Sequence, residues 1–177
     1  MAMELLREIS ESDIGAPLEE KKDICYKLRK AARALVFNRE GKIAILFVSK
    51  KNYHKLPGGG IEDGEDIKLA LAREIMEETG CSVEIRSQDV GMIIEYRDGD
   101  ELLQISYCYL SDVVGVPAAT AFTEKETTNG FQLKWLGMNE AIGVLKNDAP
   151  AESFEKFMRE RDLTFLRKAK EKISRQA

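Results

Sequence analysis

The 177-residue chain predicts an α/β fold around a central mixed β-sheet, and three observations carry that expectation. Short apolar, β-rich runs such as residues 31–37 and 43–48 are joined by turn sequences. Residues 66–79 and 153–173 carry helical rather than strand periodicity. Strands, a helix, more strands and then helices follow without regular β-α-β alternation, which favours a mixed sheet over a doubly wound parallel one.

Taken in order, residues 1–23 are charged and weakly patterned, and read as an extension that forms either an edge strand or a short helix. The runs 31–37 and 43–48 flank Asn38-Arg39-Glu40-Gly41 and predict a hairpin. Leu56-Pro57-Gly58-Gly59-Gly60 interrupts regular structure. Residues 66–79 predict a helix that Asp66 caps and Gly80 closes. Residues 83–86 and 92–96 predict strands, and Asp98-Gly99 turns the chain into a returning strand, 102–110. Residues 111–130, with Pro117 and Gly130, read as a loop, 131–136 as a strand and 139–147 as a short helix. The last stretch, 153–173, reads as an amphipathic helix with a candidate break near Asp162; Phe154, Phe157, Met158, Phe165 and Leu166 would face inward. The division expected is an extension (1–27), a main domain (28–148) and a helical segment (149–177) packed on that domain.

Composition narrows the function classes. A chain 44% hydrophobic and 33% charged fits a soluble globular domain. A net charge of −4 argues against nucleic acid or an anionic membrane as the main partner. An acidic protein acting on an anionic phosphate needs a cation between them. Cys25, Cys81 and Cys108 form no C-x-x-C pair and read as reduced thiols. The first ten residues carry no signal-peptide run, and no window approaches the roughly 18–20 apolar residues of a membrane span. A cytoplasmic location is expected.

The chemistry concentrates between Gly59 and Cys81. Glu74, Glu77 and Glu78 stand at i, i+3 and i+4, on one helix face. Leu69, Ala72 and Met76 lie roughly opposite and read as a core-facing stripe, with Ile67, Ala70 and Leu71 beside the carboxylates, as if the helix lay between two layers. Clustered carboxylates repel one another. Glu77 and Glu78 also sit at the negative end of the helix dipole, at a cost of about 0.3–1 kcal/mol each. A hard divalent cation would neutralise them. From the helix alone, metal binding and a solvated acidic face stand equally open.

The full spacing resembles the Nudix box, G-x5-E-x7-R-E-U-x-E-E-x-G-U with U apolar. Gly59, Glu65, Arg73, Glu74, Ile75, Glu77, Glu78, Gly80 and Cys81 occupy its fixed positions in register. Such a match arises by chance with a probability on the order of 10⁻⁷ from average residue usage. The lead-in Leu56-Pro57-Gly58 and the strand ending at Trp135-Leu136, followed by Glu140-Ala141, also resemble the family.

The resemblance implies an α/β/α sandwich and Mg²⁺-dependent hydrolysis, with Mn²⁺ as an alternative ion, of a diphosphate linkage in a small nucleotide or nucleoside diphosphate derivative. It implies Glu74, Glu77, Glu78 and the Gly59 carbonyl as metal ligands. Glu65 and Arg73 would pair and hold the loop against the helix. Gly58 and Gly60 would let the backbone approach the substrate. Glu77 is the favoured general base, with Glu126 ahead of Glu124 as the alternative. His54 and Tyr96 read as substrate-edge candidates, with surface and packing roles as their alternatives; Trp135 reads as core, with base stacking as the other reading. The proline found near Tyr96 in ADP-ribose-cleaving relatives is missing, and no coenzyme A signature is present. A nucleotide-sensing domain without catalysis is the second function class. A prenyl diphosphate isomerase relative is the third, and its extra catalytic residues have no clear place here. Oligomeric state stays open, with a homodimer as one option.

Overall fold

Strand β2 (Lys27–Phe37) shows how sequence pattern becomes layers. Ala32, Ala34 and Val36 join one apolar cluster and Leu35 joins another, as the two-residue period of a strand requires. The computed structural model describes residues 3–16 and 23–175. These form a mixed sheet in the order β1 (Leu5–Ile9), β5 (Ser82–Arg97), β6 (Leu102–Val114), β2, β3 (Ile43–Val48), β4 (Tyr53–Lys55), with β7 (Phe131–Leu136) paired to β3. β1–β5 and β2–β6 are parallel pairs; the others are antiparallel.

Helix α1 (Ile67–Thr79) covers one face of the sheet. Leu71 and Ile75 are fully buried against Ala32, Ala34, Val36 and Ala44, each contributing about 1.5–3 kcal/mol of apolar burial. Helices α3 (Met138–Asn147) and α4 (Ser153–Ser174) cover the other face, where Leu145, Phe157, Phe165 and Leu166 meet Leu35, Ile43, Ile45 and Ile93. The expected α/β/α layering is present. No helix among the described residues is long and apolar enough to cross a membrane.

Several elements differ from expectation. The 31–48 hairpin exists only at its turn, where Phe37 opposes Ile43; behind that point β2 leaves β3 and pairs with β6 along its whole length. The vacated edge of β2 is taken by the glycine turn: Ala34 N–H donates to Pro57 O (3.1 Å), Ala32 N–H to Gly59 O (3.0 Å) and Ile61 N–H to Lys30 O (3.0 Å). This pairing satisfies β2's backbone groups and seats the site on the sheet. Residues 83–96 form one strand with irregular pairing between Ile85 and Gly91. The 111–130 loop is shorter, because β6 runs on to Val114 and residues Glu124–Asn129 form helix α2.

The stripe on α1 is also corrected. Leu69 (69% exposed) and Met76 (38%) face outward, and the buried face is Ala70, Leu71, Ile75, Glu78 and Thr79. One layer, not two, holds this helix. Helix α4 is unbroken at Asp162, whose buried carboxylate accepts the Leu56 N–H (2.9 Å). Phe154, expected inside, is 46% exposed. In the N-terminal extension, β1 and a short 3-10 turn (Glu11–Ile14) are formed; residues 1–2 and 17–22 lie outside the described residues, as do 176–177 at the other end.

Candidate active site

Gly58 has φ +127°, and a Cβ there would overlap the Ala32 carbonyl oxygen. Only glycine allows this turn to lie so close along β2. Its N–H donates to Glu78 Oε2 (2.6 Å). A Cβ on Gly59 would collide with the Glu74 carboxylate, so that side chain lies directly over the turn.

The three glutamates come from the C-terminal half of α1, which Asp66 caps through the Lys68 and Leu69 N–H groups. Glu78 is buried and accepts from Lys55 Nζ (2.8 Å) as well as from Gly58. Burial raises its pKa above the ordinary carboxylate range, against the opposite pull of Lys55. Glu74 accepts from Arg73 Nη1 (2.7 Å), while Glu77 meets that same nitrogen only at 3.9 Å. Arg73 also grips Glu65 through Nε (3.2 Å) and Nη2 (3.3 Å). Hydrogen bonds donated to Glu65 and Glu74 hold the Arg73 pKa above its usual value, and Arg73 lowers that of Glu65.

Glu74, Glu77 and Glu78 line one cavity of about 810 Å³ together with Gly58, Gly59, Gly60 and Arg73. The expected tight group of carboxylates is spread along this wall: among the described residues, no three acidic, histidine or cysteine side chains gather at one coordination point. Arg73 takes Glu74 and Lys55 takes Glu78. Glu126 also lines the cavity, and its carboxylate accepts the Thr123 N–H (2.8 Å) and hydroxyl (2.9 Å).

His54, Tyr96 and Glu65 do not line the cavity. His54 alternates with Tyr53 and Lys55, which do line it; its ring stacks on Phe47 (4.6 Å) and its Nδ1 lies 3.0 Å from Asp148 Oδ1. Tyr96 donates to Glu8 (3.1 Å), and Glu124 is absent from the lining.

The sequence reading missed the wall facing α1. Arg29 and Arg33 of β2, Arg97 of β5 and Arg161 of α4 line it. Arg33, a charge inside the apolar 31–37 run, was the available signal. Burial, with Arg161 nearby, depresses the Arg33 pKa to about 10. Burial opposes the charge on Arg161 too, but Asp162 and Glu95 outweigh it and hold its pKa above the usual value.

The box side of the cavity suits a hard divalent cation. Its donors are all oxygens: three carboxylates and the Gly59 carbonyl, on a turn where a Cβ would displace Glu74. That carbonyl also accepts from Ala32 N–H (3.0 Å) and Arg33 Nη1 (3.2 Å).

A family model described as NUDIX domain matches residues 27–160. The chain is 28% identical over 126 residues to Nudix hydrolase 13, mitochondrial, of Arabidopsis thaliana, covering 68% of this chain and 62% of that protein. It is 27% identical over 128 residues to diphosphoinositol polyphosphate phosphohydrolase 2 of Rattus norvegicus, covering 71% and 67%. It is 37% identical over 67 residues to RNA pyrophosphohydrolase of a Drosophila simulans Wolbachia, covering 36% and 38%. The match thus spans less than two thirds of the length of the Arabidopsis and Wolbachia relatives. Among solved structures, the MutT protein of Methanosarcina mazei Go1 superposes with a TM-score of 0.55 at 20% identity, over 82% of this chain and 97% of that one. At that identity the likeness establishes the fold.

Proposed function

The chain belongs to the Nudix hydrolase family, and from that premise we propose that it is a Mg²⁺-dependent pyrophosphohydrolase acting on the diphosphate linkage of a small nucleoside polyphosphate, with Mn²⁺ able to replace Mg²⁺. One observation carries this reading: Glu74, Glu77, Glu78 and the Gly58–Gly60 turn share one wall of a single cavity. The Wolbachia relative is named a pyrophosphohydrolase and the rat relative a polyphosphate phosphohydrolase; both names fit attack on a phosphoanhydride.

When bound, the divalent cation supplies charge neutralisation of the diphosphate and a lowered pKa for water. Glu74, Glu78 and the Gly59 carbonyl would hold it, with Glu77 at its edge. Glu77 is the general base: its side chain is 40% exposed and, among the described residues, its paired cation Arg73 comes no closer than 3.9 Å. Glu126 is the lesser candidate, because the α2 cap already occupies its carboxylate. Arg73, anchored by Glu65, positions Glu74. Water oxygen bonds to phosphorus, the bridging P–O bond breaks, and the leaving oxygen departs with the released phosphate or pyrophosphate.

A steady-state assay over a panel of nucleotides, with Mg²⁺ and with EDTA, tests this. Mg²⁺-dependent release of phosphate, pyrophosphate or nucleoside monophosphate is expected from at least one member. No release from any member rejects the hydrolase reading and leaves a nucleotide-sensing domain.

A further inference from the structure

We propose that Arg29, Arg33, Arg97 and Arg161 form an anion subsite that receives a free terminal phosphoryl group of the substrate. The preferred substrate is then a polyphosphate chain with an uncapped end rather than a diphosphate esterified at both ends. The inference rests on the hydrolase reading above for the identity of the bond cut, but not for the binding of the anion.

The first argument is unmet donors. Arg33, Arg97 and Arg161 are buried, the latter two almost completely. Arg33 Nε, Arg97 Nε and Nη1, and Arg161 Nη1 and Nη2 find no hydrogen-bond acceptor among the described residues. Arg161 Nη1 stands 3.6 Å from Glu95 Oε2, too far for a hydrogen bond. Buried charged donors left without acceptors are costly.

The second argument is charge. Arg97 pairs with Glu95 (2.9 Å) and Arg161 with Asp162 (2.7 Å). Arg29 donates to the neutral Gln104, and Arg33 to the carbonyls of Ala32 and Gly59. Of the other carboxylates lining the cavity, Glu155 pairs with Lys51, Glu74 with Arg73 and Glu78 with Lys55, while Glu77, Glu126 and Glu152 also line it. Four guanidiniums in this wall thus meet two carboxylates, Glu95 and Asp162, and Arg29 and Arg33 have only neutral hydrogen-bond partners among the described residues.

Geometry supplies the third. Guanidinium forks match phosphate oxygens two at a time. Arg97 is backed by the rings of Phe154 (4.8 Å) and Phe157 (5.3 Å), which hold its plane. Arg33 reaches the Gly59 carbonyl (3.2 Å), and Arg29 Nη2 lies 3.2 Å from where a Gly60 Cβ would stand. Arg29 and Arg33 therefore abut the glycine turn, over which the Glu74 carboxylate also lies.

Calorimetry in EDTA with inorganic tripolyphosphate tests binding apart from catalysis. Wild type should bind, and Arg29→Ala and Arg97→Lys should each weaken binding about tenfold or more, whereas Glu77→Gln should not weaken it. Arg29 is exposed, so its replacement spares the fold. In kinetics, both arginine variants should lower kcat/KM for a nucleoside triphosphate about tenfold or more while leaving a dinucleoside diphosphate within about twofold. Equal tripolyphosphate affinity in wild type and variants, or an unchanged ratio between the two substrates, overturns the subsite. Arginine-dependent binding with no turnover of any nucleotide keeps the subsite and rejects the hydrolase reading.

Discussion

The carboxylate wall of the cavity comes from one half of one helix, with Glu74, Glu77 and Glu78 side by side on α1; the arginine wall is gathered from β2, β5 and α4. The first is neutralised by local partners, Arg73 one residue away from Glu74 and Lys55 across the glycine turn from Glu78. The second depends on Glu95 and Asp162, which only tertiary packing brings to the guanidiniums. Local spacing thus sets the reactive groups, and the assembled core sets the charge they face. Replacing the half-exposed Glu77 of the carboxylate wall should cost turnover at little cost in stability, and substitutions behind the arginine wall should do the reverse.

The largest expected effect is on the carboxylate side. Glu77→Gln should lower kcat by about 10²- to 10⁴-fold, with the thermal unfolding midpoint nearly unchanged because the side chain is half-exposed. Equal losses in Glu77→Gln and Glu126→Gln would blur the choice of base. On the other side, Asp162→Ala removes the partner of a fully buried Arg161 and the acceptor of the Leu56 N–H. Denaturant unfolding should show a loss of about 3–5 kcal/mol, and a loss under 1 kcal/mol (roughly the value of a surface pair) would mean that the arginine wall does not need this counter-charge. The smallest effects test which side of α1 is the core. Leu71→Ala should cost about 2–5 kcal/mol, whereas Leu69→Ala, at an exposed position, should stay within about 0.5 kcal/mol.

What was legible in the sequence follows the same division. The caps Asp66 and Gly80 and the glycine turn are set by neighbours a few residues apart, and the structure has them at those positions. Strand β7 has the ends expected for it, 131–136, directly after Gly130. The hydrophobic face of α1 was misassigned because both of its sides carry apolar residues, and only packing on β2 and β3 decides between them. The parallel pairing of β2 with β6 joins segments far apart in the chain and left no local trace. Arg33 was visible only as a charge in an apolar run, a pattern that says a partner exists without saying which, whereas Arg161, inside the charged run Arg159-Glu160-Arg161-Asp162, carried no such mark. His54 was read as a substrate-edge candidate from its distance to Gly58, but strand alternation turns it to Phe47 and Asp148 instead.

The most direct measurement is Mn²⁺ binding to the intact protein with a non-hydrolysable nucleotide triphosphate, followed by the electron paramagnetic resonance signal of the free ion. Wild type should deplete the free signal, and Glu74→Gln and Glu78→Gln should each restore most of it while retaining the folded circular dichroism spectrum. Mn²⁺ uptake that is absent in wild type, or undiminished in both variants, would contradict the assignment of the α1 carboxylates as the ion's holders.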